Sequence, residues 1–308
     1  MKKIFRLISQ TFTDFFAADV FSKAAAISYY TIFSLPPMLL VVLYVSALLY
    51  SEQEIESALH DQISGLAGRD SANQIIGSIE RLQAFDGPWF ARVISIGVLI
   101  FTSTTIFATM QTALNNVFKV EAKPSTGWGV WAVVKERLLS FSLVLGVAFI
   151  LVVSLSLNAV VTAFGDLIAR KIPGVSVFFL QIMSLVLPLI VTTGLFAITF
   201  KLLPDAKLRW RDTLLGAFIT ACLFAVGKLG IGFYIGNSET ANLYETAGAV
   251  MVIMLWVYYA SVIILFGATL TAAYTKTYNE NGIEASDFAV RVREKKIELP
   301  KKNPEDKI

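Results

Sequence analysis

The sequence predicts an all-α polytopic membrane protein: six transmembrane helices, both termini cytoplasmic, and an interfacial amphipathic helix at the N-terminus. Three observations predict it. The 308 residues are 56% hydrophobic and only 16% charged, with mean hydropathy +0.66, where a soluble domain is about 25% charged. Long uncharged runs recur along the chain, each beyond the ~20 apolar residues that cross a bilayer. Lys and Arg are also divided unevenly between the alternate connections of those runs, twenty against five.

The first element is residues 1–23. Ile4, Phe5, Ile8, Phe12, Phe15, Phe16 and Phe21 fall near one side of a helix that begins with Lys2, Lys3 and Arg6, the pattern of a helix lying in the membrane interface. Arg6, Asp14, Asp19 and Lys23 leave no clean apolar stretch for a cleaved signal peptide. A membrane domain over 24–275 follows, with spans at about 24–51, 93–118, 138–165, 172–200, 213–238 and 246–275. Backbone groups in hydrocarbon must be satisfied within their own segment, so these runs are helices.

Positive residues stay on the cytoplasmic side. That side receives Lys2, Lys3, Arg6 and Lys23, the connections 119–137 and 201–212, and the tail 276–308. The net charge of +3 is therefore a topological signal, and no nucleic-acid partner is expected. The mixed-charge tail reads as a solvated or partly disordered extension. On the other side the loop 52–92 carries seven acidic side chains against three arginines. Its Ile55, Leu59, Ile63 and Leu66, then Ile75, Ile79 and Leu82, recur at helical spacing and predict two short amphipathic helices capping the outer face.

Several residues in the spans cost energy in lipid. Pro36 and Pro37 are expected to break the first span after Ser34, and Pro188 to kink the fourth; each is either a hinge or a static kink tolerated by packing. Lys228 is the strongest signal, because a lysine at a helix centre costs about 2.5–3.5 kcal/mol on insertion scales. Counting from Ser238 places it about 15 Å from the outer end. It reads either as a cation facing a polar cavity that takes an anionic or phosphate-bearing group, or as a structural lysine bonded to carbonyls or paired with Glu245. Gly227, Gly230, Gly232 and Gly236 around it let helices approach closely. Tyr29, Asn158, Tyr234, Tyr244 and Glu245 are the candidate cavity-lining residues, with interfacial anchoring the plainer role for the tyrosines at 234 and 244.

The stretch from Ala24 through Ser28-Tyr29-Tyr30 and Ser34-Leu35-Pro36-Pro37 to Met38 resembles the opening signature of the YihY/BrkB family of bacterial inner-membrane proteins. Further matches follow in order: Ala113-Leu114-Asn115-Asn116 to Val120; Phe200, Leu203-Pro204, Trp210 and Gly216-Ala217; Lys228 with Phe233-Tyr234; and Tyr244, Leu255-Trp256, Tyr258 and Gly267-Ala268. Together they cover about residues 5–275. Two positions depart from the family pattern: Glu245-Thr246 stand where many relatives have Gly-Ala, and Thr269 where many have an acid. The family carries an old ribonuclease label. The residues argue against any enzyme, because Asp14, Asp19, Glu121, Glu136, Asp205 and Asp212 are scattered and no histidine lies on that side.

One cysteine, Cys222, and one histidine, His60, give neither a disulfide framework nor a zinc site, and no cofactor or metal is expected. The sequence reading is thus an inner-membrane, transport-type protein handling an amphipathic anion such as a lipid or envelope precursor, with membrane lipids as partners. The alternative is a non-catalytic scaffold of an envelope complex, docking through 52–92 or the basic tail. Convergence of Lys228, Tyr29, Asn158 and Tyr244 on one cavity distinguishes the first from the second.

Overall fold

The computed structural model describes residues 2–46, 51–67, 69–83, 89–122, 175–237, 245–279, 282–286 and 289–292. The expected span 138–165, with Asn158, and Tyr244 lie outside the described residues. Within them the chain is almost wholly helical: α1 (Lys2–Ala17), α2 (Val20–Ser46), α3 (Glu52–Ala67), α4 (Arg69–Gln83), α5 (Trp89–Phe118), α6 (Val175–Leu202), α7 (Trp210–Asn237) and α8 (Glu245–Tyr278). Short strands β1 (Val120–Ala122), β2 (Ala206–Lys207), β3 (Glu284–Ala285) and β4 (Ala289–Arg291) gather at one end. Among the described residues, two helical stretches are long and apolar enough to cross a membrane by themselves, Trp210–Lys228 and Val250–Tyr278, and Pro188–Leu202 is a shorter apolar one.

α8 is the central helix, packed against α1, α2, α5 and α7. Against α7, two small-residue notches interlock. A methyl group on Gly216 of α7 would overlap Thr271 Oγ1 of α8 and sit 3.0 Å from its Cβ; one on Gly267 of α8 would overlap Thr220 Oγ1 of α7 and sit 2.8 Å from its Cβ. Each threonine hydroxyl donates back along its own helix to the glycine four residues earlier, Thr220 to Gly216 O and Thr271 to Gly267 O, both at 2.7 Å. Oxygen and methyl of one helix thus fill the space left by the missing side chain of the other. α2 joins α8 through Ser28 Oγ, which donates to Met254 O at 2.8 Å.

α2 runs unbroken through Pro36 and Pro37, so the break expected after Ser34 does not occur. Each proline removes one donor, and packing holds the turn: Pro37 is buried, and Leu39 joins Ile55, Leu59, Ile75, Ile76, Ile79 and Ile253 in one apolar cluster, with Leu35 and Met38 against it. α6 likewise contains Pro188 without interruption. The cluster on α2 is completed by α3 and α4, an amphipathic hairpin capping that end of the bundle. α3 starts with a capping box: Ser51 N–H and Oγ–H donate to Glu54 Oε2 at 3.0 and 2.7 Å, and Glu54 N–H reaches back toward Ser51 Oγ at 3.4 Å. These bonds to its charged form hold the Glu54 carboxyl below the usual carboxylate range.

The opposite end is a clasp. Its core holds Leu114, Phe118, Phe200, Leu203, Leu208, Leu265 and Ile283. The segment after α8 does not extend freely into solvent through residue 292: β3 pairs antiparallel with β2, and β4 with β1. Ser286 N–H donates to Asp205 O and Val292 N–H to Lys119 O, both at 2.9 Å. The sequence reading of a solvated tail is corrected over 282–286 and 289–292, because the polar backbone of the two interhelical connections finds its partners there.

Candidate functional site

The clasp end collects the polar chemistry. α5 finishes in Gln111, Asn115 and Asn116, then turns at Lys119, whose φ of 56° is the left-handed conformation common after a helix C-terminus. Asn115 grips Asp205 in the α6–α7 connection from both sides: its Nδ2 donates to Asp205 Oδ2 and its Oδ1 accepts from Asp205 N–H, each at 2.7 Å. Gln111 adds a longer contact of 3.4 Å to the same carboxylate oxygen. Asp212, buried in the first turn of α7, accepts from Thr275 Oγ1 at 3.2 Å. Asp14 of α1 pairs with Lys276 of α8 at 3.2 Å, both about four-fifths buried. The three aspartates are therefore spent separately on three interhelical links.

Two cavities open beside this framework. A cleft of about 670 Å³ is lined by Asp14, Asn115, Asn116, Lys119, Glu121 and Val292, among others. A groove of about 570 Å³ runs between α2 and α5, with Lys23 and Tyr30 on one wall and Phe101, Thr105, Thr109 and Thr112 on the other. Thr112 lines both. The residues at 101, 105, 109, 112 and 116 are spaced by three or four, so they form one stripe along α5 that passes from apolar through hydroxyl to amide, with Lys119 at the turn beyond its end. From Phe101 to Thr112 the stripe rises about 16 Å, roughly one leaflet of a ~30 Å hydrocarbon core. Lys23 stands at the groove with its ammonium donating to Ala18 O.

Of the residues singled out from sequence, two can be placed against these cavities. Lys228 and Tyr29 are exposed, on α7 and α2, and line neither cavity. Beside Lys228, Gly227 is a close approach, since a methyl there would overlap the Tyr259 hydroxyl, which donates to Leu223 O at 3.3 Å. Gly230, by contrast, faces no atom within 4 Å among the described residues. Tyr234, Gly232 and Gly236 lie on α7 and Glu245 opens α8, with side-chain surroundings outside the described residues. Sequence reasoning missed Lys23 and Thr112, whose only signal was their position on the α2 and α5 faces that form the groove.

The family model described as Virulence factor BrkB matches residues 11–289. The chain belongs to that family. Curated BrkB-type relatives carry the name UPF0761 membrane protein. The chain is 27% identical over 262 residues to one from Nitrosospira multiformis, covering 84% of this chain and 58% of the relative. It is 28% identical over 260 residues to one from Rhodospirillum centenum, covering 82% and 53%, and 27% identical over 260 residues to one from Aliivibrio salmonicida, covering 82% and 77%. The chain spans little more than half the length of the first of these relatives. No solved structure matches it. The BrkB family places the protein among integral membrane proteins.

Proposed function

We propose that this BrkB-family protein is a six-span protein of the bacterial inner membrane, both termini and the clasp end cytoplasmic, that handles a phosphate-bearing amphipathic anion, a lipid or envelope precursor, without enzymatic chemistry. The observation that carries this reading is Thr112, which lines both an apolar groove and a cleft that has charged and amide side chains on its wall. Only a ligand with an apolar chain and a polar head satisfies both. Lys23, at the groove, is the cation best placed for the phosphate. The separate engagement of Asp14, Asp205 and Asp212 supports the non-enzymatic part, because metal-assisted phosphodiester cleavage needs converging carboxylates.

The test is native mass spectrometry of the full chain in mild detergent, comparing wild type with Lys23→Met and Lys228→Met. Loss of bound phospholipid in Lys23→Met alone supports the groove. Loss in Lys228→Met alone returns the headgroup to α7. Equal retention in all three, with folded variants, refutes lipid handling at either lysine and favours a scaffold docking through the α3–α4 hairpin.

A further inference from the structure

α1 has three faces, and its packing on α8 fixes which way each points. Thr11 and Phe15 are buried, while Phe5, Ile8, Phe12 and Phe16 form a stripe at three- and four-residue spacing, each about half exposed or more. Lys3, Arg6, Ser9 and Thr13 make up an exposed polar face. Asp14 reaches Lys276 of α8 at 3.2 Å, whereas the rings of Phe12 and Phe15 lie 5.7 and 5.5 Å from that of Phe266, about 15 Å nearer the middle of that helix. Going around α1 from Asp14 through Phe15 to Phe12 thus leads from the clasp end into the apolar stretch Val250–Tyr278. The exposed apolar face lies toward the middle of α8, and the exposed polar face lies away from it. The start of α7 repeats this order. Arg209, Trp210 and Arg211 are exposed, with Lys201 Nζ 5.7 Å from the Trp210 ring centre, and Leu214 and Phe218, on successive turns further from the clasp, are about half exposed. Asp212 meets Thr275, the residue before Lys276, so both elements are fastened to one turn of α8.

We propose that α1 and the start of α7 form one belt seated at the headgroup–hydrocarbon boundary of a phospholipid bilayer. Phe5, Ile8, Phe12 and Phe16, with Leu214 and Phe218, lie among the upper acyl chains, while Lys3, Arg6, Arg209 and Arg211 lie at the phosphates. Two features select a bilayer surface over a protein as the occupant. The apolar stripe of α1 continues through the Phe12–Phe266 contact onto a helix long and apolar enough to span the membrane, and two separate elements show the same layering, apolar inward and basic outward, at one height on that helix. The inference rests on the protein being integral to a membrane, and it is independent of lipid handling at the groove and of which side the clasp faces.

The experiment places nitroxide labels on single cysteines of the full chain, in a Cys222→Ser background, reconstituted in vesicles of phosphatidylethanolamine and phosphatidylglycerol. Collision with oxygen, which concentrates in the acyl chains, is compared with collision with a water-soluble nickel chelate. Labels at Phe5→Cys and Ile8→Cys are expected to give an oxygen-to-nickel ratio severalfold above that at Thr13→Cys, and Leu214→Cys a ratio severalfold above that at Arg209→Cys. All five side chains are exposed; should one variant fail to fold, Phe16→Cys or Ser9→Cys reads the same two faces of α1. Nickel access at Phe5 and Ile8 equal to that at Thr13 overturns the proposal, because α1 then stands off the bilayer. Protection of Phe5 and Ile8 from both reagents also overturns it, because a protein surface, from a second copy or another chain, then covers the stripe. The layering in α1 without the matching contrast between Leu214 and Arg209 overturns the two-part belt.

Discussion

Gly216→Ala introduces a single methyl group at a point where α7 and α8 approach closely. That methyl overlaps Thr271 Oγ1 and approaches the Thr271 Cβ to 3.0 Å, so the threonine must rotate or the helices must separate. Rotation gives up the 2.7 Å bond from Thr271 to Gly267 O, worth about 0.6 kcal/mol by analogy with interhelical side-chain bonds in membranes. Overpacking in a close-fitted core adds about 1–3 kcal/mol. Gly216→Ala should therefore destabilise by about 2–3 kcal/mol, whereas an open helical glycine gains about 0.5–1 kcal/mol on the same change. Gly230→Ala supplies that control, because its methyl meets no described atom within 4 Å.

The decisive arm is the double variant. Thr271→Ala removes the overlapping oxygen and leaves only the 3.0 Å contact, which a shift of a few tenths of an ångström relieves. In that background Gly216→Ala should cost about 1 kcal/mol or less, a coupling of about 1–2 kcal/mol. The mirror pair, Gly267→Ala with Thr220→Ala, should be rescued less completely, since the residual Cβ contact is 2.8 Å. Steric-trapping or detergent-titration unfolding in mixed micelles measures all of these. Additive costs, with Gly216→Ala equally damaging whether or not Thr271 is present, would refute the interlocking notches.

Two further outcomes follow from the polar links. Asn115→Ala removes two 2.7 Å bonds to Asp205, one of them to a carboxylate, about 2–3 kcal/mol together; hydrogen exchange at the Ser286 and Val292 amides, both bonded across the clasp, should accelerate about 30- to 100-fold, and unchanged exchange there would separate the clasp from the Asn115–Asp205 link. The Glu54 carboxyl is held below its ordinary value by the Ser51 hydroxyl and N–H, so its stabilising effect is full above the unfolded value near 4.3 and is lost as pH falls through the lower folded value. Exchange in the first turn of α3, corrected for intrinsic rates, should rise below about pH 4 in wild type, and Glu54→Gln should show no such step.

The apolar runs located five of the helices, and the differences at their ends have a common cause. The run 24–51 starts after Lys23, yet α2 begins at Val20, where Asp19 precedes the first turn, its carboxylate accepting from Ser22 Oγ and its carbonyl from Lys23 N–H, and the Lys23 ammonium finds a partner in Ala18 O. α7 likewise begins before Arg211 and Asp212, with Asp212 tied to Thr275, and α8 continues through Lys276, which pairs with Asp14. Counting uncharged residues measures hydrocarbon, whereas the helix is set by hydrogen bonds, and a charge that finds a partner does not end it. The clasp was illegible for a different reason: strands of two or three residues carry no period, and the mixed composition of the tail says nothing of β1 and β2, more than 75 residues away. The site suffered likewise. Lys228 stood out because it is a charge within an apolar run, while Lys23, at the end of one, looked like an ordinary boundary.

The lysines that predict orientation are therefore also structural members of the clasp end. Lys201 donates to Leu208 O and lies 5.7 Å from the Trp210 ring centre, Lys276 fastens α1 to α8 through Asp14, and Lys23 bonds at the α1–α2 turn. Each has a local partner whose loss costs energy irrespective of which side of the membrane it occupies. Altering these three to invert the topology would loosen the α1, α2 and α6–α7 junctions at the same time, confounding sidedness with folding. Arg291 offers a cleaner handle, because its side chain is exposed and β4 engages β1 through the backbone. Orientation is thus best perturbed from the tail, where charge can change while the three links at 23, 201 and 276 stay intact.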